Sequence, residues 1–296
     1  MSKRREAHAQ PIKRRAARLA ALIAAVAVLA WLIWGNTALV TTRISVASPR
    51  IPREFDGFVI AHVSDMHDVQ LGADNAALID CLADAAPDVI VITGDLIDSN
   101  RTDIDLALSF ARRAVELAPV YYVTGNHEGA LMEYWRLREG LTELGVHVLT
   151  DTSDEITRGG AAIRLVGIDD PNFATHDEIK QGFDAMIREK LSCLTAAGEY
   201  SVLLAHRPEY AESYATGGAD LALCGHAHGG QVRLPLVGGL IAPGQGFLPK
   251  YDSGLYTVHG MSMVVSRGLG NSVFPLRVNN RPELVLVTLE SDNPET

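Results

Sequence analysis

Cysteine is scarce in this chain, with three residues among 296: Cys81, Cys193 and Cys224, scattered and in no zinc-like pairing. That argues against a disulfide framework, though not against an extracytoplasmic location. Basic residues run short too once the first 50 positions are passed. Residues 1–50 carry nine Lys/Arg and one Glu, and the remainder carries 17 Lys/Arg against 35 Asp/Glu. So acidic a body is a poor nucleic-acid binder, because neutralising phosphates takes Lys and Arg, and no nucleic acid is expected as a partner. It can still take an anionic substrate where bound metal inverts the local field. Repeats and low-complexity tracts are missing as well. What is present is 47% hydrophobic and 21% charged, the composition of a globular chain.

Residues 1–18 are basic (Lys3, Arg4, Arg5, Lys13, Arg14, Arg15, Arg18), and residues 19–34 follow as an unbroken apolar run of 16. Continued to Val40, the run is about long enough to span a bilayer, which takes about 20 residues. Trp31 and Trp34 sit where an interfacial belt would lie. An uncleaved anchor is expected over residues 1–40; a signal peptide is the alternative, with Asn36-Thr37-Ala38 a poor cleavage site. Either way the basic end stays inside and the acidic body faces out. Arg14-Arg15 fits a twin-arginine export signal only loosely, and two ordinary positive-inside arginines serve as well. Residues 41–56 read as a linker, broken by Pro49 and Pro52, and residues 57–296 as one undivided domain.

Within that domain short apolar strands alternate with amphipathic segments. Strands are expected at 58–63, 89–93 and 120–123, with helices at 74–86, 103–117 and 131–144 between and after them. The pattern continues with a strand at 164–168, a helix at 177–195, and strands at 201–205, 221–224 and 232–234. Residues 235–260 read as a long Gly/Pro-rich loop, and strands at 263–266 and 283–289 close the chain. This is α/β alternation with strands buried in a sheet. Residues 240, 241, 247 and 248 (Leu, Ile, Phe, Leu) are apolar enough for that loop to touch lipid, although packing over the core is the commoner role.

The strands share a feature: each delivers a polar cluster at its carboxyl end, where open α/β sheets bind ligands. The clusters are Asp65-Met66-His67, Gly94-Asp95, Gly125-Asn126-His127-Glu128, Ala205-His206 and Gly225-His226-Ala227-His228. The candidate ligands are thus Asp65, His67, Asp95, Asn126, His206, His226 and His228. Carboxylate, carboxamide and imidazole without thiolate suit Mn, Fe or Zn. Seven ligands exceed one tetrahedral site and are enough for two divalent metal ions if one carboxylate bridges. Two such ions about 3.5–4 Å apart suit phosphoester cleavage, with a bridging hydroxide as the in-line nucleophile. His127, one position beyond Asn126, is the candidate general acid or phosphate donor. Glu128 and Asp98 are placed to orient these groups.

The five blocks in this order resemble the calcineurin-like metallophosphoesterase superfamily, over about residues 58–230. That resemblance implies a two-sheet β-sandwich flanked by helices. It implies one metal on Asp65, His67, Asp95 and His228, and another on Asp95, Asn126, His206 and His226, with Asp95 shared and His127 as the catalytic histidine. Gly229-Gly230-Gln231, Lys250-Tyr251, the 265–270 stretch and Pro275-Leu276-Arg277 resemble a narrower bacterial branch of membrane-associated or exported phosphoesterases, of the YkuE and YaeI type. The branch is also similar to pyrophosphatases of UDP-2,3-diacylglucosamine in lipid A synthesis, which work at the cytoplasmic face, whereas the basic amino end here points the domain outward. The expected partners are therefore a phosphoester substrate, lipid-linked among the options, and a membrane through the amino-terminal segment. A metal-binding interaction module without catalysis is the reading from another class, and no ligand position is missing to favour it. His62 is expected as a packed core histidine, and His147, His176 and His259 as surface or loop residues. Asp169-Asp170 is expected as a turn, and Arg207, Arg267 and Arg277 as structural or surface groups.

Overall fold

A computed structural model describes residues 2–196, 198–271 and 274–292. The chain begins with α1 (Ser2–Thr37) and β1 (Val40–Ser48), then runs through β2 (Val59–Val63), α2 (Ala76–Ala85), β3 (Val89–Thr93) and α3 (Ile104–Ala114). Next come β4 (Val120–Val123), α4 (Asn126–Ala130), α5 (Tyr134–Glu143), β5 (His147–Val148), β6 (Thr152–Arg158) and β7 (Ala161–Gly167). The second half holds α6 (His176–Gln181), α7 (Phe183–Leu194), β8 (Tyr200–Leu204), α8 (Ala211–Thr216) and β9 (Leu221–Cys224). Four two-residue strands follow, β10 (Arg233–Leu234), β11 (Gly238–Gly239), β12 (Ile241–Ala242) and β13 (Gly246–Phe247), and then β14 (Gly254–Val258), β15 (Met261–Val265) and β16 (Glu283–Ser291).

The strands build two six-stranded sheets, in the orders β1-β16-β2-β3-β4-β5 and β14-β15-β9-β8-β7-β6. The site-bearing neighbours β2, β3 and β4 are parallel in the first sheet, and β8 and β9 are parallel in the second. Why the sheets stack follows from the two-residue period of a strand. In β3, Val89 and Val91 face the core between the sheets, while Ile90 and Ile92 face the outer core shared with α2, α3 and α5. In β8, Val202 and Leu204 point inward, and Leu203 points outward into the core shared with α7 and α8. Strands that are apolar on both faces are thereby covered twice. The result is the α/β, two-sheet β-sandwich flanked by helices, and it brings the carboxyl ends of β2, β3, β4, β8 and β9 to one edge.

Four expectations are corrected. Residues 41–56 are not a free linker: β1 pairs along its whole length with β16, from Val40 opposite Glu283 to Ser48 opposite Ser291. Its alternation of Ile44 and Val46 with Arg43 and Ser45 is the half-buried strand period. The helix expected over 177–195 is two helices, α6 and α7, divided at Gly182, whose φ of 89° lies in the left-handed region. The 235–260 loop contains β11, which pairs with β10 in the strand expected at 232–234, the β-ribbon β12-β13, and the strand β14. The anticipated packing of that stretch over the core fails for Ile241, Phe247 and Leu248, all of which are exposed.

Residues Arg14–Thr37 of α1 form a helical segment long and apolar enough to cross a membrane, and among the described residues none buries its apolar window. Its carboxyl end is fastened to the body. Asn36 exchanges two hydrogen bonds with Arg277: the Arg277 backbone N–H donates to Asn36 Oδ1 at 2.8 Å, and Asn36 Nδ2 donates to the Arg277 carbonyl at 3.0 Å. The Arg281 guanidinium lies 4.5 Å from the Trp34 ring centroid and donates to the carbonyls of Ala38 and Leu39.

Candidate metal centre

The structure brings all seven candidate ligand side chains together, from five loops. Asp65 and His67 follow β2, Asp95 follows β3, Asn126 opens α4 after β4, His206 follows β8, and His226 and His228 follow β9. Asn126 is half-buried and the other six are buried. Asp65, His67, Asp95, His226 and His228 have φ between 47° and 65°. Non-glycine residues avoid this region at a cost of about 1–2 kcal/mol each, so the loops hold a strain that the surrounding fold must offset.

The donor atoms form two clusters that share Asp95. In the first, His67 Nε2 lies 3.1 Å from His228 Nε2, 3.5 Å from Asp95 Oδ2 and 4.0 Å from Asp65 Oδ1, and His228 Nε2 lies 3.4 Å from Asp65 Oδ1. In the second, His206 Nε2 lies 3.2 Å from Asp95 Oδ2 and 3.1 Å from both His226 Nδ1 and Asn126 Oδ1. Donor atoms around a cation at bonds of about 2.0–2.2 Å are roughly 3.0–3.5 Å apart. Nearly all these spacings fall in that range, and the donor set is nitrogen and oxygen without sulfur. The residues present therefore fit a pair of divalent cations.

Backbone groups aim the ligands. The N–H of His127 donates to Asp95 Oδ1 at 2.8 Å, leaving Oδ2 to face both clusters. The N–H of His226 donates to both oxygens of Asp65, at 3.0 and 3.1 Å. His206 Nδ1 meets the Thr93 carbonyl at 2.8 Å, so Nδ1 carries a hydrogen and Nε2 is the nitrogen that presents a lone pair once the ring is neutral. Glu128 fastens two loops at once. Its Oε2 accepts from the N–H groups of Asp95 and Gly125, at 2.9 and 2.8 Å, and its Oε1 from Leu96 at 2.8 Å. Those loops meet glycine to glycine: a Cβ on Gly125 would stand 2.3 Å from Asp95 Oδ1, and one on Gly94 2.5 Å from the Gly125 nitrogen.

Electrostatics favours the ligating forms at most positions. Burial holds the imidazole of His67 at about 4 and those of His226 and His228 well below the ordinary value, so all three are neutral. Burial alone would raise the Asp95 carboxyl, but the charge and hydrogen bond of His206 outweigh it and hold Asp95 well below the usual carboxylate range. Burial would likewise lower His206, and Asp95 overrides it, lifting His206 to about 10 in the metal-free chain.

His127 is buried beside the first cluster, its ring centroid 4.5 Å from that of His67 in an edge-on arrangement. The Ser99 backbone N–H donates to His127 Nδ1 at 3.0 Å, and Asp98 Oδ1 lies 3.6 Å from the same nitrogen. With Nδ1 accepting, a neutral ring carries its hydrogen on Nε2. Ser99 had no sequence signal, because it acts mainly through its backbone. Arg207 is bidentate to buried Asp170, at 2.6 and 2.9 Å, which fixes the loop after His206. Arg277 is the largest fully buried side chain among the described residues, and its Nη2 lies 3.4 Å from His228 Nδ1. His62 is buried against Thr93 Oγ1, at 2.7 Å, as expected of a core histidine.

Known proteins resemble this chain in sequence. The family model for calcineurin-like phosphoesterases matches residues 58–230. The metallophosphoesterase YkuE of Bacillus subtilis is 30% identical over 258 residues, covering 86% of each chain. The phosphodiesterase YaeI of Escherichia coli is 29% identical over 211 residues, covering 69% of this chain and 70% of its own. A transmembrane protein with a metallophosphoesterase domain from Danio rerio is 27% identical over 83% of this chain and 56% of its own. With more than half its length in that match and a relative at this identity spanning most of it, the chain belongs to the calcineurin-like metallophosphoesterases and is a metal-dependent phosphoester hydrolase.

Proposed function

We propose that the chain hydrolyses phosphodiester or phosphomonoester bonds with two divalent cations, of Mn, Fe or Zn, at the edge where the sheets meet. Asp65, His67, Asp95 and His228 would hold one, and Asp95, Asn126, His206 and His226 the other. When bound, the pair supplies Lewis acidity toward a phosphoryl group and a nucleophile at neutral pH. The observation that carries the reading is the single oxygen Asp95 Oδ2, 3.5 Å from His67 Nε2 and 3.2 Å from His206 Nε2, common to both clusters.

The remaining work falls to the chain's own groups. His127 offers its Nε2 proton to a phosphoryl or leaving oxygen, as the general acid. Ser99 keeps that tautomer by donating to Nδ1. Glu128 holds the Asp95 and Asn126 loops in one frame. The helix α1 anchors the domain, and the basic residues before it keep its amino end inside, so the domain lies on the extracytoplasmic side.

The test uses the full chain, stripped with chelator and reloaded with Mn, Fe or Zn. Metal analysis should find about two ions per chain, and the loaded chain should hydrolyse bis(4-nitrophenyl) phosphate. Asp95→Asn should lower both metal content and rate more than any other single ligand substitution, because both ions share that side chain. Hydrolysis with none of the three metals would overturn the reading. Near wild-type activity in Asp95→Asn, with loss only in His67→Ala, would refute the shared carboxylate.

A further inference from the structure

One side of the centre is apolar. A cleft of about 360 Å³ runs from His228 and Gln231 outward between Ile241, Ala242, Pro243 and Phe274. That volume lies at the lower end of small-ligand pockets. Ile241 and Phe274 at its mouth are 56% and 53% exposed, and the two ribbons beside it also expose Leu234, Leu236, Val237, Phe247 and Leu248. An exposed apolar strip of this kind is unusual on a soluble surface and marks a contact with lipid, ligand or protein.

Chain connectivity decides among these. Gln231 Nε2 donates to the carbonyls of Phe274 and Leu276, at 2.7 and 3.2 Å, and so sets the cleft wall. Three residues beyond Phe274, Arg277 exchanges hydrogen bonds with Asn36, at the carboxyl end of α1. Three residues span at most about 11 Å. The cleft mouth and the exit of the apolar helix therefore share one stretch of chain, and the cleft's inner end is lined by His228 of the metal centre.

We propose that this cleft is the subsite for the hydrocarbon part of an amphiphilic phosphoester, so that the enzyme takes a lipid phosphoester from the bilayer into which α1 runs. This rests on the phosphoesterase reading above and adds the substrate class. The alkyl chain lies between Ile241 and Phe274, and the phosphoryl group reaches the centre past His228. Such a subsite binds ground state and transition state alike. Its benefit appears as a lower KM with kcat little changed, by up to about fourfold for each methylene fully buried.

The experiment places the full chain in phospholipid nanodiscs, loaded with metal, and measures hydrolysis of ethyl, hexyl and decyl 4-nitrophenyl phosphodiesters below their micellar concentrations. The wild type should favour the decyl over the ethyl ester at least about tenfold in kcat/KM, mostly through KM. Ile241→Asp and Phe274→Ser should bring that ratio close to one. Ile179→Asp, an equally exposed apolar position on α6, should keep the wild-type ratio. A wild-type ratio near one, with the ethyl ester still turned over, would overturn the subsite and leave the phosphoesterase reading standing. A ratio unchanged in both cleft variants would assign the preference to partition into the disc and would equally overturn it. No turnover of any ester with any metal would remove the phosphoesterase reading and the subsite with it.

Discussion

At the scale of single residues, the centre combines neutral imidazoles with one proton that has to leave. His206 is lifted to about 10 by Asp95 in the metal-free chain. A folded value above the ordinary 6.5 contributes stability that is complete below about pH 6.5 and is lost as pH rises toward 10. A cation on His206 Nε2 must displace that proton, so metal affinity runs the other way. Between pH 6 and 8, affinity for the second cation should rise about tenfold per pH unit, while the metal-free chain melts at a progressively lower temperature from pH 7 to 10. Calorimetric metal titrations and thermal melts of the stripped chain measure the two trends, and an affinity flat across that window would mean His206 holds no proton to displace.

His127 makes a prediction of a different kind. Its hydrogen sits on Nε2 because Ser99 donates to Nδ1. A proton donor matters in proportion to the basicity of the leaving oxygen. Loss of a general acid usually costs 10²–10⁴-fold. His127→Ala should therefore slow an alkyl phosphomonoester by about that factor and a 4-nitrophenyl ester far less, since nitrophenolate departs without a proton. Equal losses on both esters would show that His127 binds the phosphoryl group instead of protonating the leaving group.

At the scale of elements, the loops after β3 and β4 hold the shared carboxylate, and Glu128 joins them. One carboxylate accepts from three backbone N–H groups of Asp95, Leu96 and Gly125 at 2.8–2.9 Å. In Glu128→Gln one oxygen becomes an NH₂ that faces donors with a donor. Leaving buried N–H groups without a partner costs about 1–3 kcal/mol. The variant should melt lower by that margin and should also bind metal more weakly, because Asp95 and Asn126 lose their common frame. A variant with wild-type melting and metal content would show that water or a rearranged loop satisfies those donors.

The same elements show which parts of this arrangement the sequence made legible. Strands β3, β4 and β9 match their expected limits, because each is a short run buried on both faces and bounded by glycine, proline or a polar loop. The ligand-type residues stood out because every cluster ends such a run. β1 escaped because it is a half-polar edge strand, and its partner β16 lies some 240 residues away along the chain, beyond the reach of local pattern. Of the two ribbons, β10 falls in the expected strand at 232–234, whereas β11, β12 and β13 escaped because two-residue strands carry no periodicity. Gly182 divides α6 from α7 through a positive φ that the apolar spacing of 177–195 does not reveal. The staple from Glu128 and the hydrogen bond from Ser99 act through backbone N–H groups, which no side-chain pattern encodes.

For the whole molecule, the question is how α1 and the catalytic domain sit relative to a bilayer. Residues Arg14–Thr37 make a helix of 24 residues, about 36 Å at 1.5 Å per residue, enough to cross a hydrocarbon core of about 30 Å. Its carboxyl end is tied to the body through Asn36, Trp34 and the guanidinium of Arg281, so with α1 in a bilayer the domain would lie close against the surface and not hang on a tether. The excess of Lys and Arg before the apolar run favours an inside amino end and an outside domain. The chain carries its own reporter of that topology. Cys193 on α7 is exposed, Cys81 is half-buried and Cys224 is buried. A membrane-impermeant maleimide applied to intact cells should therefore label the wild-type chain, in Gram-negative cells once the outer membrane is permeabilised, and label Cys193→Ser far less. Labelling that requires disruption of the inner membrane would place the domain inside, and with it the cleft and the metal centre at the cytoplasmic leaflet.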